Sequence, residues 1–281
     1  MIPAEFDYTA PESLQDAISA LSQGGEDAKL LAGGHSLIPL MKLRLAAPSL
    51  LIDIRKVPGL QGIQRENGSW RIGALTRHTE LEHAAELGVI AQAAGTIADP
   101  QVRNRGTIGG SLAHGDPASD LLAVMMVCDA TVTLQGPGGQ RTVAAGELFK
   151  DYLETAVEPD EVLTEIRFPA LDGWGYDYQK FNRRSEDWAM VAVSVVVKKS
   201  GDTCEDVRVG LTHMSSVPLR ATAVEDALRG QSLSAENIAK AAEQAAEGTD
   251  PPGDLNASPE YKRHLARVLT RRALEQASGQ A

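Results

Sequence analysis

Two short segments of the chain carry residue types suited to holding a diphosphate. In the first, Leu31-Ala32-Gly33-Gly34-His35-Ser36-Leu37, an apolar run enters a diglycine and then a serine. Consecutive glycines reach positive φ easily and turn successive N–H groups toward one point, which makes an anion cradle. Ser36 stands where it would cap a short helix with Pro39 in its first turn, and the start of such a helix adds a favourable partial charge. A diphosphate can be held there without lysine or arginine. The second segment, Asn104-Arg105-Gly106-Thr107-Ile108-Gly109-Gly110-Ser111-Leu112, repeats the chemistry with hydroxyl donors on Thr107 and Ser111. Asp120 follows, and a carboxylate suits the acceptance of ribose hydroxyls. Taken singly, a diglycine after a strand is an ordinary turn, and Asp120 is equally an acidic residue favoured at a helix start. Two such loops close together are better explained by one diphosphate held between them.

Other chemistries are missing. The sequence has no G-x-x-x-x-G-K-[ST] and no G-x-G-x-x-G, which argues against a P-loop and a Rossmann site. Cys128 and Cys204 are the only two cysteines and lie far apart, which excludes an iron–sulfur cluster held by this chain alone, a zinc ribbon and a disulfide scaffold. The six histidines are scattered, with no H-E-x-x-H, so no metal site is expected.

The elements that must position these loops can be read from pattern. The chain has 281 residues, 43% hydrophobic and 23% charged, the composition of a soluble globular protein of two or three domains. A net charge of -11 repels phosphate backbones and anionic lipid, so no nucleic-acid partner is expected. No apolar run is long enough to span a bilayer, and the N-terminus does not read as a secretion signal, which gives a cytoplasmic expectation. A strand at 6–8, a helix at 11–22 opened by Thr9 and Glu12, and strands at 29–32 and 50–54 form one α+β unit, 1–58. A second unit, 59–172, holds a hairpin around Asn67-Gly68, helices at 79–85, 89–97 and 121–127, and strands at 130–134, 140–143 and 162–168. The stretch 99–120 reads as glycine-rich and helix-poor. The third unit, 173–281, reads as three antiparallel strands (176–181, 189–198, 207–211) followed by helices at 221–228, 235–246 and 259–277.

At the two loops the sequence resembles the FAD-binding subunits of the molybdenum hydroxylases, the xanthine dehydrogenase superfamily. The resemblance covers nearly the whole chain: Ala32-Gly33-Gly34-His35-Ser36-Leu37 with Met41-Lys42-Leu43-Arg44, then Ile97 through Gly110, His114-Gly115-Asp116-Pro117, Lys180-Phe181 and Asp187-Trp188-Ala189. The longer stretches are similar to its carbon-monoxide-dehydrogenase branch. The resemblance implies a vanillyl-alcohol-oxidase (PCMH) type α+β fold: two subdomains gripping FAD and a C-terminal α+β domain completing the pocket. It implies that Ala32, Gly33, Gly34, His35, Ser36 and Leu37, with Thr107, Ile108, Gly109, Gly110 and Ser111, hold the diphosphate. His114 and Asp116 join that site, and Asp120 takes the ribose or adenine side. Lys180 sits by the isoalloxazine, Leu163 lines the pocket and Trp188 lies against the ring. Read as plain residues, Lys180 is a solvated strand lysine and Trp188 a core residue.

The resemblance further implies a division of labour. A large partner subunit carries the molybdenum cofactor and oxidises the substrate, here carbon monoxide, with water. A small partner carries two 2Fe-2S clusters, and the non-covalently bound FAD of this chain passes electrons to a quinone-type acceptor. A dimer of heterotrimers, peripheral on the inner face of the membrane, is expected. An aldehyde, a purine or an N-heterocycle is the alternative substrate class; a scaffold that has lost FAD and a stand-alone flavin oxidase are the other readings. After the first loop, residues 38–44 read either as a core-packed helix or as a docking surface for the iron–sulfur subunit.

Overall fold

The computed structural model describes residues 2–280. The first unit contains β1 (Asp7–Thr9), α1 (Leu14–Gly24), β2 (Ala28–Leu31), α2 (Leu37–Leu43) and β3 (Leu50–Asp53). Its sheet is parallel, in the order β1-β3-β2. Helix α1 starts at Leu14 rather than at 11, because the Ser13 side chain, not that of Thr9, caps it by accepting from the N–H of Asp16. Ala17, Ile18 and Leu21 then face Ala28, Ile52 and Ile54 in one apolar cluster. Across the sheet the Tyr8 hydroxyl donates to Asp53 at 2.7 Å, and Arg55 Nε donates to the same carboxylate at 2.8 Å. Burial pushes the Asp53 carboxyl up, but Arg55 and Tyr8 outweigh it and hold it at about 2.

The second unit comprises β4 (Ile63–Glu66), β5 (Ser69–Gly73), α3 (His78–His83), α4 (Val89–Gly95), α5 (Pro100–Arg103), α6 (Ile108–His114), α7 (Asp120–Val127), β6 (Thr131–Gly136), β7 (Gly139–Ala144), α8 (Ala145–Leu148), β8 (Phe149–Asp151), β9 (Glu154–Thr155) and β10 (Val162–Pro169). Five of its strands form an antiparallel sheet in the order β4-β5-β10-β6-β7. The stretch 99–120, read from sequence as helix-poor, contains α5 and α6. Asp99 caps α5 by accepting from Val102 N–H at 2.8 Å, with Pro100 at the first turn, and Thr107 caps α6 by accepting from Gly110 N–H at 3.2 Å. Two glycines cost a helix about 1 kcal/mol each relative to alanine. The cap and the full burial of Ile108 and Leu112 in the main core override that cost.

The third unit is β11 (Gly175–Phe181), β12 (Val191–Ser200), β13 (Thr203–Thr212), β14 (Leu219–Arg220), α9 (Thr222–Leu228), α10 (Ala235–Ala242) and α11 (Pro259–Gln280). Its sheet is antiparallel, β11-β12-β13-β14; the two-residue β14 is a fourth strand that sequence reading did not separate from the loop before α9. Strand β12 is buried on both faces. Val191, Val193, Val195 and Val197 pack under the C-terminal helices, whereas Ala192 and Val196 belong to the core of the second unit. The alternation of side chains along one valine-rich strand therefore joins the two cores.

Candidate cofactor-binding site

The first glycine loop leaves the end of β2 and turns into α2. Gly34 has φ +79°, and Ile38 N–H returns to its carbonyl at 3.0 Å. Among the described residues, the N–H groups of Gly33, Gly34, His35 and Ser36 have no backbone acceptor. They border the cavity described below, so this loop presents open donors. Ser36 departs from its sequence reading: it makes no side-chain cap, and its hydroxyl lies in the cavity wall instead. His35 lies on the same wall, its imidazole pushed down by desolvation and by the Arg105 guanidinium.

The second loop works differently. Ile108 N–H donates to Thr76 O at 3.0 Å, Gly109 N–H to Ala74 O at 2.8 Å, Gly110 N–H to Thr107 Oγ1 at 3.2 Å and Ser111 N–H to Thr107 O at 3.1 Å. Its amides from Ile108 to Ser111 are committed inside the protein, and its glycines serve close packing. A Cβ on Gly109 would stand 2.7 Å from Ala74 O, and one on Gly33 would stand 2.3 Å from Arg105 O. No side chain fits at Gly33, where the two loops meet backbone to backbone. The donors left to the second loop are the hydroxyls of Thr107 and Ser111 and the Thr107 N–H, which has no backbone acceptor among the described residues.

Asp120 and Lys180 also line the cavity. The Lys180 ammonium is 3.0 Å from Asp120 Oδ2 and donates to Thr96 O at 3.0 Å, and Tyr178 OH donates to Asp120 Oδ1 at 2.6 Å. Both side chains are about 95% buried, so Lys180 is not a solvated strand lysine. Burial pushes the Asp120 carboxyl up against the opposing pull of Lys180 and Tyr178. Leu163 reaches the wall beside an irregularity in the β10–β6 pairing between Leu163 and Glu165. Trp188 is 54% exposed and lines the cavity, so it is no core residue. Its loop is held by His213 Nδ1, which donates to Ala189 O at 2.8 Å.

These groups surround one cavity of about 550 Å³, within the range of about 300–1,000 Å³ common for cofactor sites. Of the sequence-derived residues, Ala32, Gly33, Gly34, His35, Ser36, Leu37, Thr107, Gly109, Gly110, Ser111, His114, Asp120, Leu163, Lys180 and Trp188 line it. Ile108 and Asp116 do not. Ile108 is fully buried in the core, as the inward position of a capped helix requires, and Asp116 turns its carboxylate back onto Ala118 N–H at 2.9 Å. Sequence reading missed His78, Ala74 and Ile97, which also line the wall. Nothing at His78 marked it out, because its partners are 28 and more residues away. Open amides and hydroxyls, a buried cation–carboxylate pair and a large aromatic around one cavity of this size suit a dinucleotide. Among the described residues no three His, Cys, Asp or Glu side chains converge on a metal site.

Gly33→Ala should leave the chain folded but lower its retained flavin by about tenfold or more, read as the flavin-to-protein absorbance ratio. Gly59→Ala, at φ +80° with open space around it, is the control for positive φ alone and should keep the flavin. Lys180→Met should destabilise the chain by about 3–5 kcal/mol, because it leaves Asp120 buried and uncompensated. Without Lys180 the Asp120 carboxyl rises further, so the folded state holds its proton to higher pH than the unfolded chain does. The variant should therefore lose more stability at about pH 8 than at about pH 5 relative to the parent, and Asp120→Asn in the same chain should remove that pH dependence. Urea midpoints at the two pH values check both.

Comparisons with known proteins cover the whole chain. The model of the family described as FAD binding domain in molybdopterin dehydrogenase matches residues 4–171, and that of the CO dehydrogenase flavoprotein C-terminal domain matches 176–277. The carbon monoxide dehydrogenase medium chain of Hydrogenophaga pseudoflava is 44% identical over 99% of this chain and 98% of its own length. That of Afipia carboxidovorans is 43% identical over 100% and 99%. The structure superposes with a TM-score of 0.97, at 45% identity and 100% coverage of both chains, on a chain of the Hydrogenophaga pseudoflava carbon monoxide dehydrogenase that lacks the Mo-pyranopterin moiety of its molybdenum cofactor. These matches over nearly the whole chain place it in the family of FAD-binding flavoprotein subunits of molybdopterin dehydrogenases, whose fold the two glycine loops and the C-terminal antiparallel sheet share.

Proposed function

We propose that the chain is the flavoprotein subunit of a heteromeric molybdenum hydroxylase of the aerobic carbon monoxide dehydrogenase type. A large partner with the molybdenum cofactor oxidises carbon monoxide with water to carbon dioxide, a small partner with 2Fe-2S clusters carries the electrons, and this chain delivers them to a quinone-type acceptor. Whole-length similarity to carbon monoxide dehydrogenase medium chains carries this reading. A dimer of heterotrimers, cytoplasmic and peripheral on the inner membrane face, belongs to the same proposal, as do unit boundaries at 58/59 and 172/173.

FAD, when bound, takes up electrons singly and gives them up in pairs. The chain's own residues would hold and shelter it. The open amides of Gly33 to Ser36 would receive the diphosphate, and the Thr107 and Ser111 hydroxyls would face it from the second loop. Asp120 has one carboxylate oxygen on Lys180 and one on Tyr178, each with a lone pair to spare for a donor on the dinucleotide. The Lys180 charge would favour an electron-rich ring, and Leu163 and Trp188 would exclude water from it. Binding would be non-covalent: burial pushes the Cys128 thiol up to about 12 and the Cys204 thiol up to about 11, and neither lines the cavity.

The test is purification of the tagged chain from its native host. A larger molybdenum-containing chain and a smaller iron–sulfur chain should accompany it, and the complex should reduce an artificial dye when given carbon monoxide. Dye reduction by an aldehyde, a purine or an N-heterocycle in place of carbon monoxide would transfer the assignment to that substrate class.

The end of α2 is proposed as the docking surface for the iron–sulfur subunit. Met41 is buried, but Lys42, Leu43, Arg44 and Leu45 are exposed, Leu43 by 53% and Leu45 by 74%, directly beyond the first loop. Lys42→Glu with Arg44→Glu should leave FAD bound and weaken association with the small subunit more at low salt than at high salt. Size-exclusion chromatography of the mixed subunits measures this, and an unchanged complex at low salt removes α2 from the interface.

A further inference from the structure

His78, the first residue of α3, is almost fully buried on the wall between the two glycine loops. Its N–H donates to Gly106 O at 3.0 Å, and a Cβ at position 106 would stand 2.7 Å from its Cδ2, so glycine there leaves room for the ring. Nε2 lies 3.3 Å from Ser111 Oγ. Nδ1 is sealed from solvent and has no hydrogen-bond partner among the described residues.

We infer that His78 is a positioning residue that fixes Ser111 as a hydroxyl donor to the anionic oxygens of the bound dinucleotide. This rests on the FAD site proposed above. Burial, the Arg103 guanidinium and His35 push the imidazole down to about 4, so the ring is neutral and carries one proton. A proton on Nδ1 would be a buried donor with nothing to receive it, and Ser111 would then have to donate to Nε2. Buried unpaired donors are rarer than under-used acceptors, which puts the proton on Nε2. Nε2–H donates to Ser111 Oγ, and the hydroxyl proton of Ser111 is left to point into the cavity. The backbone amides from Ile108 to Ser111 are already bonded within the protein, so this hydroxyl is one of the few donors the loop has left. A hydrogen bond to an anionic oxygen is about twice as strong as a neutral one, enough for about tenfold in affinity.

The full-length chain, stripped of flavin and titrated with FAD, tests the inference. His78→Phe and Ser111→Ala should each weaken binding about tenfold, and the double variant should be no weaker than Ser111→Ala alone, since His78 acts only through that hydroxyl. His78→Gln places an amide N–H near the position of Nε2 and should restore most of the affinity. Additive losses, or a folded His78→Gln that binds no better than His78→Phe, would overturn the inference. If the Phe variant does not fold, nitrogen-15 NMR of the unsubstituted, histidine-labelled chain decides: an Nε2–H tautomer supports it and an Nδ1–H tautomer or an imidazolium defeats it. Failure of the unsubstituted chain to bind FAD would instead remove the site itself.

Discussion

The cavity exists because the loop after β2 and the loop before α6 touch through their backbones. At Gly33 there is no room for even one methyl group beside Arg105 O. Beside this contact the first unit also packs Ala17, Ile18 and Ile52 against Leu60, Leu75 and Val162 of the second, and the cavity lies between the loops. The glycines that look interchangeable in the sequence have different duties. Gly34 supplies positive φ so that the amides of the first loop turn inward, whereas Gly33 and Gly109 allow approach distances that no other residue permits.

An acidic protein has to hold a polyanion without gathering many cations around it, and the site does this asymmetrically. The first loop offers amides with no other partner, whereas the second has its Ile108–Ser111 amides bonded internally and offers hydroxyls and the Thr107 N–H. Fixed dipoles of this kind are short in range and directional, so in the proposed role they would hold a phosphate while the net charge of -11 is left undisturbed. The buried charges are paired: Lys180 and Asp120 bond to one another and Tyr178 donates to the remaining carboxylate oxygen. Such a pair adds little stability by itself, but it fixes the orientation of both groups in a low-dielectric wall.

The C-terminal unit takes part in the site through β11, which brings Lys180 and Tyr178 to α7, and through the loop that carries Trp188. Strand β12 beside it is apolar on both faces, so the unit cannot swing away without exposing valines and alanines to water. His213 couples that rigidity to the Trp188 loop by its hydrogen bond to Ala189 O, and Lys262 lies 3.4 Å from its other nitrogen.

Local chemistry is what the sequence determined alone. The first diglycine after a strand, Asn67-Gly68 as a hairpin turn and the valine-rich strand are signals written within a few residues, and each depends on backbone sterics or side-chain type. Whether α6 forms was beyond such reasoning, because its glycines oppose a helix and only the burial of Ile108 and Leu112 reverses that preference. The same holds for Ile108 and Asp116, whose neighbours in the motif face the cavity while they face the core and the loop backbone. His78 carried no local signal; it matters because folding seals one of its nitrogens and brings the other to Ser111, 33 residues away. Pairing Lys180 with Asp120 spans 60 residues and needs β11 laid against α7. Tertiary packing decided these contacts because the burial that shifts a titration, or leaves an atom without a partner, is a property of distant neighbours.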